Sequence, residues 1–480
     1  MRELTPARKC AISGLRRALR NIPLACGGLL AGLILAEVGL RILGITYPVF
    51  DAYDATRGIA LKPGKQGWYR GEGGAYVKIN SLGYRDVEHT REKPPGVFRI
   101  AVLGDSFTEA RQVSIGDTFC KRLEKRLSGR PEFGNLKVEV LNFGIGGYAT
   151  DQELLTLRLH VLDFSPDLVM LAFCPGNDVA GNSRQLISQV KGAAASRFGE
   201  NPYKPFYLLR DGKLIVDNSF RNFGLDYLCR RFLLEAIHYS RCLELINQAR
   251  RAMLLRKVRH NVPSKAYNIG LFDEELVEPK DEAWKEAWRV TEALIIAMNE
   301  EALRARARFV LLTLTTPIQV DPDVAKREET QRALGASDLF YTERRLRQLG
   351  KRFGFPVITL AEELQVAAVQ RHVYFHGFAN TAFGTGHFNE RGHEIVADIL
   401  TRELVPFLPE SRHGKAPEGA DDTQIEQAIR DLDDQWSKAA GAKDVDKTIS
   451  FYSDDHCHAS KRSERDHQGS DSQNLERFAH

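Results

Sequence analysis

Ser106, Asn177 and His387 are residue types that do covalent chemistry when a fold gathers them. Each sits beside a structural signal. Ser106 follows the apolar run FRIAVLG in GDSFTEA, Asn177 follows DLVMLAF in CPGND, and His387 lies in GTGHFNERGH just before a helical pattern. A serine hydroxyl is a weak nucleophile until a base takes its proton, and the oxyanion formed by attack on an ester needs N–H donors aimed at it. His387 suits the base. The N–H of Ser106, a glycine N–H from NFGIGGY (Gly144, Gly146 or Gly147) and the Asn177 amide suit the donors. Singly, a GDS turn, a glycine-rich turn and an Asn-Asp helix start are ordinary capping chemistry. Their appearance in order at successive strand ends points to acyl-ester chemistry.

The elements that must position these residues follow from the hydrophobic pattern. From Phe98, apolar runs alternate with amphipathic stretches: strand FRIAVLG, helix DTFCKRLEKRLSG, strand KVEVLNFG, helix TDQELLTLRLHVLDF, strand DLVMLAF. That βαβαβ rhythm predicts a parallel sheet covered by helices. It resumes with helix DEAWKEAWRVTEALIIAMNEEALRARA, strand RFVLLTLT, helix FYTERRLRQLGKRF, strand PVITL and a last helix from about Asn389. The expected fold class is therefore α/β, a three-layer sandwich on five parallel strands, with the chemistry at the carboxyl ends of the strands.

Between the two halves lies an insertion, residues 180–281, too long for a plain connection. Within it PFYLLRDGKLIVD predicts a hairpin turning at Asp211 and Gly212. A helical region from Tyr227 to Arg259 carries the basic cluster RRAMLLRKVRH, read as a solvated face, a membrane-facing surface or a lid. Residues 44–97, rich in glycine and aromatics, read as turns and edge strands with little chemistry of their own.

Lys+Arg 67 against Asp+Glu 63 gives a net charge of +4, too near neutral to mark a nucleic-acid binder. Seven cysteines without CxxC spacing exclude a zinc cluster or disulfide scaffold, although a Cys229–Cys242 pair stays open. The HCH triplet near the C-terminus is not expected to bind metal. Residues 1–21 form a basic tail and residues 22–43 an apolar segment, with Glu37 and Arg41 four apart near its far end. An uncleaved single-pass anchor is expected, with the N-terminus cytoplasmic and the rest extracytoplasmic or periplasmic. A cleaved signal and a buried helix are the other readings.

GDSFTEA, NFGIGGY, GND and HFNERGH, in this order across residues 98–408, resemble the four blocks of the SGNH (GDSL) hydrolase superfamily. The resemblance implies a flavodoxin-like sandwich and esterase or acyltransferase chemistry without metal or organic cofactor. It implies Ser106 as nucleophile, His387 as base, and Ser106, Gly147 and Asn177 as the oxyanion hole; His393 reads as structural. The expected activity is hydrolysis of an O-acyl or O-acetyl ester on a small molecule or polysaccharide through an acyl-serine. Transfer of an acyl group to a cell-envelope polysaccharide and a non-catalytic envelope-binding role are the alternatives. One departure concerns the third triad member: where the family carries an aspartate two or three residues before the histidine, this chain has Thr385 and Gly384. A backbone carbonyl, another carboxylate, a Ser-His dyad or impaired chemistry would each follow.

Residues 409–422 read as a linker. Residues 423–455 resemble the opening helices of a SnoaL-like domain. Residues 456–480 read as a polar tail that a one-base shift would convert into a continuation of that domain, so a frameshift that truncates the domain is expected there, with a native disordered tail as the other reading.

Overall fold

The computed structural model describes residues 6–128, 130–133, 136–189, 203–222, 224–261 and 272–407. Helix α1 (Pro6–Ile42) leads into two antiparallel hairpins, β1 (Asp51–Asp54) with β2 (Gly58–Leu61), and β3 (Gln66–Tyr69) with β4 (Ala75–Lys78). Then follow β5 (Val97–Gly104), α2 (Ser106–Glu109), α3 (Phe119–Leu127), β6 (Lys137–Asn142), α4 (Thr150–Leu159), β7 (Leu168–Phe173), α5 (Asp178–Gly181) and α6 (Arg184–Gln189). The insertion contributes the hairpin β8 (Phe206–Arg210) and β9 (Lys213–Asp217), with helices α7 (Gly224–Ala236) and α8 (Arg241–Asn261). The remainder is α9 (Glu282–Arg304), β10 (Arg308–Thr313), α10 (Val324–Leu334), α11 (Tyr341–Phe353), β11 (Val357–Thr359), α12 (Ala361–Arg371) and α13 (Glu390–Glu403).

The central sheet has the order β11-β10-β7-β5-β6, every pair parallel. Numbered along the chain this is the flavodoxin-like order 2-1-3-4-5, whose switch point falls between the first and third strands. Alternate strand residues enter opposite layers, as the period of two requires. Ala101 and Leu103 join a core with Leu154 and Leu157 of α4, Leu294 of α9 and Leu346 of α11. Ile100 and Val102 join a second core with Leu123 of α3, Leu364 of α12 and Val396 of α13. The expected three-layer α/β/α sandwich on five parallel strands is what forms.

Several local expectations shift. The stretch TDQELLTLRLHVLDF breaks after Leu159 into a short 3-10 turn, Val161–Phe164, closed by Ser165 at φ 49°. The helical region 227–259 is two helices, and α10 and α12 went unread in the sequence. The β8–β9 turn has Asp211 at φ 49° and Gly212 at φ 74°, the left-handed pair that a two-residue hairpin turn demands. Cys229 and Cys242 are both free thiols, so the pairing left open does not form. The linker, the SnoaL-like segment, the tail and its HCH triplet lie outside the described residues.

Helix α1 contains a 22-residue stretch, Asn21–Ile42, long and apolar enough to cross a membrane, and its apolar side chains are exposed. Glu37 and Arg41 pair at 2.7 Å on one face near its end.

Candidate active site

Gly104 ends β5, and Asp105 turns the chain into α2 by accepting the Phe107 N–H at 2.9 Å. Ser106 therefore occupies the first position of a helix, where no preceding carbonyl can accept its N–H. Ala110, left-handed at φ 56°, ends that helix after one turn. Arg85 secures the end by donating to the carbonyls of Glu109 (2.9 Å) and Ala110 (2.6 Å). Such a tight strand-to-helix turn presents the serine side chain at the rim.

The loop after β6 holds the glycines. Tyr148 N–H bonds the Ile145 carbonyl at 3.2 Å across a turn whose third residue, Gly147, has φ 81°. This is the type II geometry that requires glycine there. Gly146 lies against the serine: a Cβ on it would be 3.5 Å from Ser106 Cβ. Its N–H is committed to Glu109 Oε2 at 2.7 Å. Among the described residues neither Ser106 N–H nor Gly147 N–H is bonded to another group. After β7, Asn177 occupies the N-cap position of α5 without a side-chain cap bond, and its amide donates instead to Asp105 Oδ2 at 2.9 Å. Since β5 lies between β6 and β7, these three loops necessarily meet at one rim, with Ser106 and Asn177 flanking the switch point.

His387 reaches the same rim from the loop before α13. Its Nε2 lies 2.8 Å from Ser106 Oγ, and its Nδ1 lies 2.6 Å from Glu72 Oε2. The other Glu72 oxygen accepts the His387 backbone N–H at 2.8 Å. The carboxylate that orients His387 thus comes from the tip of the β3–β4 hairpin, and the reading of residues 44–97 as chemically idle is corrected. That tip is pinned: Gly73 N–H donates to Asn380 Oδ1 at 3.0 Å, and Asn380 Nδ2 donates to the Gly73 carbonyl at 2.7 Å. The signal in the sequence is slight, an acid enclosed by glycines in RGEGG.

Two further histidines brace the loop. His376, which the sequence did not single out, bonds Thr315 Oγ1 at 2.9 Å and the Gly386 carbonyl at 3.0 Å. His393 Nδ1 accepts the Phe119 N–H at 3.2 Å, a structural role. Burial pushes both imidazoles down to about 3, so they stay neutral.

His387 behaves differently. Burial disfavours its charged form, but the adjacent Glu72 carboxylate outweighs burial and raises the pKa above 6.5. Burial likewise pushes Glu72 upward, and the positive charge and hydrogen bonds of His387 win, leaving the carboxylate below its usual range. Behind the rim, burial drives Asp105, Glu153 and Asp178 upward. Among the described residues no group of three or more histidine, cysteine or acidic side chains is arranged to hold a metal ion.

No protein-family model matches the chain, and no curated protein sequence does. Similar solved structures include a catalytic mutant of an acetylxylan esterase from Geobacillus stearothermophilus, 13% identical, TM-score 0.32, covering 64% of this chain and 94% of that one. The acetyl xylan esterase AlAXEase is 12% identical with TM-score 0.33, covering 64% and 100%. TesA is 12% identical with TM-score 0.31, covering 65% and 99%.

The fit between Glu72 and the histidine loop gives a test. Gly386 has φ 72°, and a Cβ there would run into Glu72 Oε1. Gly386→Ala is expected to displace the carboxylate and cost roughly 10 to 100-fold in any Ser106-dependent rate, since a misplacement of about 1 Å at a catalytic group can cost about 100-fold. Steady-state kinetics with circular dichroism as a folding control would check it; an unaltered rate would show that the Glu72 contact is dispensable.

Proposed function

We propose that the chain is a membrane-anchored serine ester hydrolase that removes an O-acyl group through an acyl-Ser106 intermediate. The observation that carries this reading is the hydrogen-bonded series from Glu72 through His387 to Ser106 Oγ, with the N–H groups of Ser106 and Gly147 and the Asn177 amide on the same rim. His387 Nε2 takes the Ser106 proton as Oγ attacks the ester carbonyl. The Ser106 and Gly147 N–H groups and the Asn177 amide receive the negative oxygen of the tetrahedral intermediate. Collapse expels the alcohol, to which His387 returns the proton. Water, deprotonated by His387, then attacks the acyl-serine, and collapse of this second intermediate releases the acid as His387 returns the proton to Ser106 Oγ. Glu72 holds the proton of His387 on Nδ1 throughout and stabilises the imidazolium.

The anchor reading rests on Asn21–Ile42 and on the basic residues Arg16, Arg17 and Arg20 before it, which favour a cytoplasmic N-terminus and an outward-facing catalytic domain. The substrate class is an O-acylated small molecule or polysaccharide outside the membrane.

The test is active-site labelling. The full-length protein in detergent is expected to react with a fluorophosphonate probe and to cleave short-chain aryl esters, and Ser106→Ala to lose both. Wild-type protein that neither labels nor cleaves would overturn the catalytic reading.

A further inference from the structure

The exposed apolar surface of the insertion is organised. In α7 the exposed residues Leu225, Leu228, Cys229 and Phe232 recur at helical spacing, whereas Tyr227 on another side is buried. In α8, Ile246, Ala249 and Met253 are exposed at the same kind of spacing. Single exposed leucines are ordinary in soluble proteins. Two successive helices that turn an apolar stripe outward are not, and such a patch implies a partner surface.

The attachment of these helices identifies that surface. Glu37 of α1 accepts the N–H groups of Arg241 and Cys242, each at 3.0 Å, and the Ser240 hydroxyl at 2.9 Å, so it caps α8. Arg41 donates to the Tyr239 carbonyl at 2.8 Å. The α7–α8 turn is thereby fixed at the level of the last turns of α1. The uncharged run from Ile22 to Ala36 rises only about 22 Å, at about 1.5 Å per residue. A bilayer hydrocarbon core is about 30 Å thick. A span that clears the core must therefore continue about 8 Å past Ala36, so Glu37 sets the α7–α8 turn within the roughly 5 to 10 Å depth that interfacial helices occupy.

Charge agrees with this placement. Two of the carboxylates in these helices are neutralised within the protein, Glu235 by Lys62 and Glu244 by Lys65, each at 2.9 Å. Arg250 is exposed beside the stripe of α8, and Arg231 of α7, which lies over the Tyr53 ring, is exposed at the margin of that helix. An apolar face with cationic margins is the pattern of helices that lie in the plane of a membrane surface.

We propose that α7 and α8 form a lipid-facing shelf lying in the interface of the bilayer that α1 crosses, with Leu228, Phe232 and Ile246 entering the acyl boundary and the arginines meeting anionic phospholipid headgroups. This rests on the anchor reading and is independent of the catalytic one. The shelf is joined to the catalytic rim: Tyr227 of α7 packs on Tyr53 of β1 at 5.6 Å between centroids, and Asp51 of the same strand binds Arg111, which also pairs with Glu109. The shelf therefore fixes the orientation of the site relative to the membrane.

The experiment uses full-length protein in phosphatidylcholine–phosphatidylglycerol vesicles containing brominated acyl chains. All native cysteines are replaced by serine, and a single environment-sensitive fluorophore is placed at Phe232→Cys, Leu228→Cys or, as reference, Val366→Cys. Val366 is also exposed but lies on α12 in the opposite layer of the sandwich. Flotation reports the anchor and quenching reports the shelf. Floating protein with fluorescence at 228 and 232 quenched at least threefold more than at 366 is the expected result. Floating protein with 228 and 232 no more quenched than 366 overturns the shelf and leaves the anchor standing. Labels at 228 and 232 shielded from both bromolipid and aqueous iodide would mean that protein covers the stripe, and would overturn it too. Protein that does not float overturns anchor and shelf together, with the ester-hydrolysis reading unaffected.

Discussion

Replacing Glu72 by glutamine is expected to lower kcat/KM by roughly 100 to 10,000-fold, the range spanned by loss of positioned acid–base catalysis. Glu72 Oε2 lies 2.6 Å from His387 Nδ1 and fixes the proton there, so that Nε2 presents a lone pair to Ser106. A glutamine amide can donate to Nδ1 instead, placing the proton on Nε2, where the ring cannot accept one from the serine. The pH profile provides a second signature. In the proposed mechanism His387 acts as a base only when neutral, so the acid limb of kcat/KM should follow its pKa. Burial alone would hold that pKa below 6.5, and the Glu72 carboxylate reverses the shift. Glu72→Gln removes the largest raising influence and leaves burial opposed only by the more weakly acting Asp105 and Glu109, so the limb should move to lower pH while the plateau falls. Glu72→Asp should restore much of the limb position with an intermediate plateau. Rates on a soluble aryl ester between about pH 4 and 9 separate these outcomes. A Glu72→Gln enzyme with the wild-type plateau and limb would establish a Ser-His dyad.

Glu72 also marks the boundary of what the sequence shows. Ser106, Gly147 and Asn177 could be placed on one rim because each directly follows an apolar run, and parallel strands bring their carboxyl ends together whatever the loop detail. His387 could be placed with them because it precedes a helix that must cover the same sheet. Glu72 has no such tie. It lies 315 positions from His387, between two short edge strands, and it reaches the histidine only because a hairpin folds over the rim. Contacts of that sequence separation depend on packing, which periodicity does not encode. The shelf helices were half legible for a related reason. Their helical spacing and basic cluster are visible, but whether the apolar stripe turns inward or outward depends on where α1 ends, through the capping of α8 by Glu37. Helix α12 went unread because its buried residues Ala361, Leu364 and Ala368 include two alanines, a weak apolar signal.

Lys204→Met is expected to destabilise the catalytic domain by about 3 to 5 kcal/mol, the usual cost of removing one partner from a buried ion pair. At this size that corresponds to a thermal midpoint lower by roughly 10 °C. Lys204 Nζ is buried 2.6 and 2.7 Å from the two oxygens of Asp151, in the first turn of α4. Asp151 N–H in turn bonds the Asn182 side chain, whose amide holds Thr291 of α9. Among the described residues neither carboxylate oxygen of nearby Glu153 has a hydrogen-bond partner, and the positive charge of Lys204 acts on both acids. Methionine keeps much of the lysine volume, so the loss should come mainly from charge. Burial already raises the folded pKa of Asp151 above its ordinary 3.8 in spite of Lys204, and removing the lysine raises it further. A carboxylate whose pKa is raised by folding costs stability above its unfolded pKa, and the cost vanishes as pH falls to that value, where both states hold the proton. The deficit should therefore be large near neutral pH and shrink toward about pH 4. Adding Asp151→Asn should recover most of the loss at neutral pH. Thermal unfolding of the wild type and the two variants at both pH values decides the matter: an equal deficit at both would assign the loss to packing of the lysine stem. Asp105, which binds the Asn177 amide, belongs to the same set of buried acids, since its charge raises the pKa of Glu153 and of Asp178. Keeping this set neutral or paired is thus a condition for the rim to hold its donors in place.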